Sequence, residues 1–91
     1  MNDRQAVHGK ARLDYTQDTL FGSLAKHAEC QVSLLEEAPG SLVLQVFQPF
    51  PDDLQDAQTV VFALEGRRTS GVVRATRRLA DASLRLALEP Q

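Results

Sequence analysis

From Cys30 onward the chain alternates apolar and polar residues with a period of two. Cys30, Val32 and Leu34 alternate with Gln31 and Ser33. Leu42, Leu44 and Val46 alternate with Val43, Gln45 and Phe47. Val60, Phe62 and Leu64 share one phase. Val73 and Ala75 stand opposite Val72, Arg74 and Thr76, and Leu84, Leu86 and Leu88 stand opposite Ser83, Arg85, Ala87 and Glu89. Successive side chains on a strand point to opposite faces, so each run predicts a strand with one buried face. Turn residues separate the runs. Ala38-Pro39-Gly40 joins the first two as a hairpin, "GRRTSG" at Gly66–Gly71 and "LADA" at Leu79–Ala82 read as turns, and Pro49 and Pro51 mark a loop that cannot donate ladder hydrogen bonds. Phe50 and Leu54 are expected to tuck under that loop as a plug.

The first half is less regular. A short strand fits Val7–Leu13. In "DYTQDTLFGSLAKHAE", Leu20, Phe21, Leu24, Ala25 and Ala28 fall on one helical face, which predicts a short helix with Thr16 or Asp18 as its cap. Gly22 inside it costs about 1 kcal/mol relative to alanine, and a loop or a pair of strands is the competing reading. The expected fold is mainly β: a small antiparallel β-barrel of five to six strands with one short helix, since closure removes exposed edges. Val32, Leu34, Leu42, Leu44, Val46, Val60, Phe62, Leu64, Val73, Leu84, Leu86 and Leu88 should share its interior.

Length and composition fit this picture. Ninety-one residues make a single domain, 1–91, with residues 1–6 expected to be loosely ordered. Hydrophobic content of 43%, charged content of 24% and a net charge of −2 are ordinary for a soluble globular domain. The single cysteine excludes an internal disulfide. No apolar run approaches the roughly 18 residues of a membrane span, and the charged start lacks the apolar core of a signal peptide. The expected location is the cytoplasm, with no membrane contact.

Charge changes the picture more. Residues 1–66 carry four Lys/Arg against ten Asp/Glu, a balance of −6, whereas residues 67–91 carry six arginines against Asp81 and Glu89, a balance of +4. Arg67, Arg68, Arg74, Arg77 and Arg78 crowd into one short stretch. Alternation puts Arg74 and Arg85 on the outer phase of adjacent strands, where they could line one positive stripe. Arg67 and Arg68 belong near a hairpin tip. Strict alternation turns Arg77 inward, so it must lie beyond the strand end or find a carboxylate, because a buried unpaired guanidinium is costly. Guanidinium forks suit phosphates and acidic partners, but a solvated, edge-protecting face is the more usual fate of exposed arginine. We therefore read Arg67, Arg68, Arg77 and Arg78 as surface that a partner could face.

Other chemistry is thin. "GRRTSG" lacks the Gly-Lys-Ser/Thr ending of a phosphate loop and precedes a strand. His27 and Cys30 stand three apart, but two histidines and one cysteine fall short of a zinc site. Asp52 and Asp53 read as solvated loop residues. No nucleophile–base set or paired carboxylates stand out, and with four Phe, one Tyr and no Trp there is no stacking platform for bases. Neither a metal, a cofactor nor an enzymatic role is expected.

The order of parts from Glu29 to Pro90 resembles the PilZ domain family. "CQVSLL" precedes "SLVLQVF", the proline loop "QPFPDDLQDA" precedes "TVVFALEG", and "GVVR" precedes "LRLALEP". The resemblance covers about two thirds of the chain. It implies a six-stranded barrel and, in typical members, binding of cyclic di-GMP through an N-terminal RxxxR and a [D/N]xSxxG. At the second motif stands Gln31-Val32-Ser33-Leu34-Leu35-Glu36, in which only Ser33 matches. At the first, "RQAVH" and "HGKAR" keep one arginine each, Arg4 and Arg12. The ligand-binding candidates are thus Arg4, Arg12, Ser33, Arg74 and Arg85, with cyclic di-GMP binding expected to be lost. The leading expectation is a PilZ-like binding or regulatory module that acts through protein–protein contacts. The alternative is a small barrel that binds nucleic acid or a nucleotide through its arginines.

Overall fold

The computed structural model describes residues 6–91, so the expected looseness of the first residues lies almost wholly outside the described part. Six strands form a closed antiparallel barrel: β1 Val7–Thr19, β2 Gly22–Ala38, β3 Ser41–Val46, β4 Thr59–Leu64, β5 Arg67–Arg78 and β6 Leu84–Pro90. Around the barrel they run β1-β2-β3-β6-β5-β4. A single 3₁₀ turn, Asp52–Asp56, interrupts the proline loop.

The interior matches the alternation. Nine of the twelve expected core positions are buried, and Leu34, Leu42 and Val73 pack against them partly buried. β1 adds Ala11, Leu13 and Tyr15 to the same core. Phe50, Leu54 and Ala57 close one end of it, with Leu54 wholly buried, so the proline loop is a plug.

The helix expected around Leu20–Ala28 is instead a β-hairpin. β1 and β2 pair without a break from Val7↔Leu34 to Thr19↔Gly22. Leu20 and Phe21 form the loop, and both are 99% exposed, so no helical face of theirs is buried. Thr19 Oγ1 donates to the Gly22 carbonyl at 2.7 Å and accepts the Phe21 N–H at 3.1 Å. Gly22 sits at φ +112°, a backbone that glycine adopts without strain. The apolar spacing there reflects a turn and the mixed faces of a ribbon, not a buried stripe.

Two further expectations change. "GRRTSG" is strand: the β4–β5 turn is Glu65–Gly66, both at positive φ, and β5 starts at Arg67. Such a two-residue turn matches the twist of its flanking strands. Arg77 lies within the strand and meets no carboxylate among the described residues. β5 pairs with β6 as Val73↔Leu88 and then Ala75↔Ala87, leaving Arg74 as the extra residue of a β-bulge. The bulge reverses the phase, so Arg77 comes to stand opposite Arg85 on the outer face.

Strand lengths are unequal, and this shapes the molecule. β1 meets β4 in register at Asp14↔Val61, Tyr15↔Val60 and Thr16↔Thr59, and β2 meets β3 from Val32 onward. Beyond those points β1 and β2 continue alone as a two-stranded arm. The molecule accordingly spans 49 Å on its long axis against 28 and 23 Å across. β5 also outruns β4, whose last partner on it is Val72. Both extensions leave the barrel at the end closed by the proline loop.

Packing between β5 and β6 is close. A Cβ built on Gly71 would lie 3.1 Å from Leu88 Cβ and 3.2 Å from the Glu89 carbonyl oxygen. Gly71→Ala should therefore cost about 1–3 kcal/mol through overpacking, and Leu86→Ala, which empties a wholly buried site, about 2–5 kcal/mol. Urea unfolding followed by circular dichroism measures both. A Gly71→Ala protein as stable as wild type would show that β5 and β6 separate without penalty.

Candidate functional site

Three features converge on the plugged end of the barrel. The first is a polar latch at the root of the arm. Tyr15 is buried, with its ring in the core and its hydroxyl donating to Asp53 Oδ1 at 2.7 Å. Lys26 Nζ of β2 pairs with Asp53 Oδ2, and Gln17 Nε2 donates to the Asp53 carbonyl at 3.1 Å. Asp53 is thus no idle loop residue: it receives side chains from both strands of the arm. Thr16 and Thr59 share a 2.6 Å hydroxyl contact beside it. The hydrogen bonds of Lys26 and Tyr15 hold the Asp53 carboxyl below its ordinary value of 3.8. Burial first, and the Asp53 contact second, push the Tyr15 phenol up to about 12.

The second feature is the tip of the arm. Leu20 and Phe21 are fully exposed and Leu24 is 48% exposed. Scattered single apolar residues on a surface need no explanation, but these two stand adjacent at the end of a projecting ribbon. Ser23 donates to Asp18 at 3.0 Å just behind them. From Thr16 to Ala25 the arm carries one charged residue, Asp18, and no cation.

The third is the arginine edge. The five residues Arg74–Arg78 are all exposed. Among the described residues their side away from β6 has no strand partner: the last backbone link there is Val73 N–H to the Gln58 carbonyl at 2.9 Å. Arg74 pairs with Glu89, and Arg85 donates to Glu37 at 3.1 Å. Arg78 lies over the Phe50 ring at 5.4 Å, a cation–π contact that joins this edge to the plug. Arg77 has no carboxylate partner among the described residues.

The sequence candidates do not form one pocket. Arg4 lies outside the described residues. Ser33, nearly buried, pairs with His8 on one side and Gln45 on the other, and the row continues through Arg85 to Arg77. It is Arg77, not Arg74, that stands beside Arg85. Arg12 is four residues along β1 from His8, roughly 13 Å away at strand spacing, and is bonded to Asp14 at 3.2 Å. Arg67 and Arg68 are exposed at the opposite end of β5. His27 and Cys30 lie on opposite faces of β2: His27 is exposed, whereas Cys30 is buried, and burial raises its thiol pKa. An open depression of about 280 Å³ lies outside the root of the arm, lined by Arg12, Asp14, Thr16, His27 and Thr59 among others. No helix among the described residues is long and apolar enough to cross a membrane.

Sequence reasoning missed the latch and the arm tip. Asp53 gave no signal, since its partners are 27 to 38 residues away. The tip did leave one: Gly22, an unwelcome residue in a helix and an ordinary one at a turn. Comparison with protein-family models, with curated proteins and with solved structures finds no match.

The latch makes pH predictions. A lowered carboxyl pKa contributes stability that is complete above the ordinary value and lost as pH falls through the folded value. Wild-type protein should lose stability on that acid limb, and Asp53→Asn should flatten the limb while costing about 1–3 kcal/mol at neutral pH. For Tyr15 the sign is opposite: its contribution is complete below pH 10 and lost as pH rises toward about 12. Because the chain has one tyrosine and no tryptophan, tyrosinate absorbance reads this group alone. A midpoint near 10 in the folded protein would show that the phenol is not held by Asp53.

Proposed function

We propose that this protein is a non-enzymatic, PilZ-like binding or regulatory module that works through contacts with another protein and has no use for cyclic di-GMP. The observation that carries this reading is the arm, which sets Leu20 and Phe21 in water. Exposing two large apolar side chains lowers solubility, and a partner pocket that receives them recovers their burial, worth about 1.5–3 kcal/mol for each. A few side chains that fill fully desolvated pockets carry most of the energy of a protein interface, and a projecting Phe21 can fill such a pocket. The lack of cations near the tip disfavours an anionic lipid surface, which recruits clustered Lys and Arg.

The arginines support the same reading. Arg74 and Arg85 already hold Glu89 and Glu37, so a dinucleotide would have to displace both carboxylates. Arg67 and Arg68 lie roughly 30–35 Å along the strand from Arg77 and Arg78 at normal strand rise, too far apart to grip one phosphate group. Nucleic acid also meets the −6 balance of residues 1–66, whose field opposes a long polyanion.

A photoreactive phenylalanine analogue placed at Phe21 tests the proposal in the native cell. It should give a discrete cross-linked protein, whereas the same probe at exposed Lys10 should not. Leu20→Ser with Phe21→Ser should abolish partner retention and leave the melting temperature unchanged. Calorimetric titration with cyclic di-GMP should show no heat of binding at micromolar concentrations. Low-micromolar affinity for the dinucleotide, or equal cross-linking from both positions, would defeat the proposal.

A further inference from the structure

We propose that the free edge of β5, from Arg74 to Arg78, accepts an extended acidic segment of a partner protein as an added strand. The inference rests on the protein-partner reading above and names the chemistry of one contact. Three independent features meet at this edge. From Arg74 to Arg78 the backbone is strand and paired with β6 on one side, yet unpaired on the other among the described residues. Such an edge offers peptide N–H and C=O groups at strand spacing to an extended chain. The bulge at Arg74 places Arg77 directly across from Arg85, and like charges directly opposite on a sheet are destabilising. Glu37 relieves Arg85 alone; a carboxylate from outside would relieve Arg77. Finally, the outer face behind the edge carries an apolar row, Ala75↔Ala87↔Val43↔Leu35, in which Val43 is 9% exposed.

The required occupant follows. Its backbone must be extended to fill the ladder, and its side chains must supply carboxylates. A nucleic acid offers the charge but not the backbone. Arginines along an edge also deter pairing with basic or neutral strands, so the same residues that guard the edge select for an acidic guest.

The test uses a short fluorescein-labelled peptide alternating glutamate and valine, and a copy N-methylated at alternate residues. The methylated copy keeps its charge but loses half of its backbone donors. The unmodified peptide should bind with rising anisotropy and shift the amide resonances of residues 74–78. Arg77→Ser with Arg78→Ser should weaken it at least about tenfold, as expected for the lost charge-assisted contact of Arg77, since Arg78 projects from the other face of the strand. Arg67→Ser with Arg68→Ser removes the same charge at the far end of the same strand and should change affinity less than about twofold. Arg77→Glu alone keeps the Arg78–Phe50 contact and should also abolish binding, which guards against a folding defect in the double variant. The methylated peptide should not bind. Equal losses from the two double variants, or equal binding of the two peptides, would overturn the proposal by reducing it to net charge. So would tighter, Arg77-dependent binding of an oligonucleotide, or Arg77-dependent self-association of the protein in sedimentation. Leu20→Ser with Phe21→Ser should leave peptide binding intact. Cross-linking at Phe21 without peptide binding would therefore sink the edge and spare the arm, and the converse would sink the arm alone.

Discussion

The structure hangs on the seam between β1 and β4. Every other neighbouring pair of strands meets over five or more residue pairs, but this one meets in ladder register at three, Asp14 to Thr16. Barrel closure at so short a seam needs reinforcement, and it comes from the side. Tyr15 is one of the three residues, and its hydroxyl reaches Asp53 in the plug. Thr16 is another, and it meets Thr59 through its hydroxyl and Gln58 through its carbonyl. The plug, the seam and the root of the arm are therefore one mechanical unit with Asp53 at its centre. A two-stranded ribbon is at best marginally stable alone, and the arm keeps its direction because Tyr15, Gln17 and Lys26 fasten both strands at its base.

This dependence explains what was legible in the sequence. The barrel was, because alternation from Cys30 to Leu88 records a two-sided environment, one face packed and one wet. Leu84, Leu86 and Leu88 pointed inward for no reason other than that. The arm was not, because a ribbon without a core beneath it has no buried face to write into the sequence. Leu20, Phe21 and Leu24 then fall at helical spacing with nothing to contradict them except Gly22. The latch was illegible for a different reason: Asp53 beside Asp52 in a proline loop looks the same whether it faces water or Tyr15. Only the fold brings residues 15, 26 and 53 together.

The arginines show a third kind of failure. Alternation was carried straight through Val73 and Ala75 and turned Arg77 inward. One inserted residue, Arg74, reversed that phase. A bulge carries little local signature when no glycine marks it, so its effect appears only in the pairing with β6. What alternation did foresee was the cost of burying a guanidinium: the bulge turns Arg77 outward and puts Arg78 on the inner phase, opposite Leu84. Arg78 nevertheless stays exposed, because β4 has already ended there and the Phe50 ring receives it at the rim.

Both extensions of the barrel thus rise from the same end, with the proline loop between them. Asp53 ties the loop to the arm, and Phe50 lies beneath Arg78 on the β5 side. The two differ in chemistry: the arm ends in Leu20 and Phe21 with only Asp18 near by, whereas the β5 edge carries cations. The uneven charge of the chain, −6 before Arg67 and +4 after it, is resolved in space as an apolar finger beside a basic edge, with Arg67 and Arg68 set apart at the far end. If both surfaces meet one partner, as proposed, two chemically distinct contacts discriminate better than either alone, since a wrong partner must fail at only one of them. Between them lies a loop of a dozen residues, Phe47–Gln58, held on the arm side by Tyr15, Gln17 and Lys26 at Asp53 and on the β5 side by the Val73–Gln58 backbone bond and the Arg78–Phe50 contact. A change at Asp53 would accordingly loosen the base of the finger without touching Leu20, Phe21 or the β5 edge, because three side chains of the arm meet at that one residue.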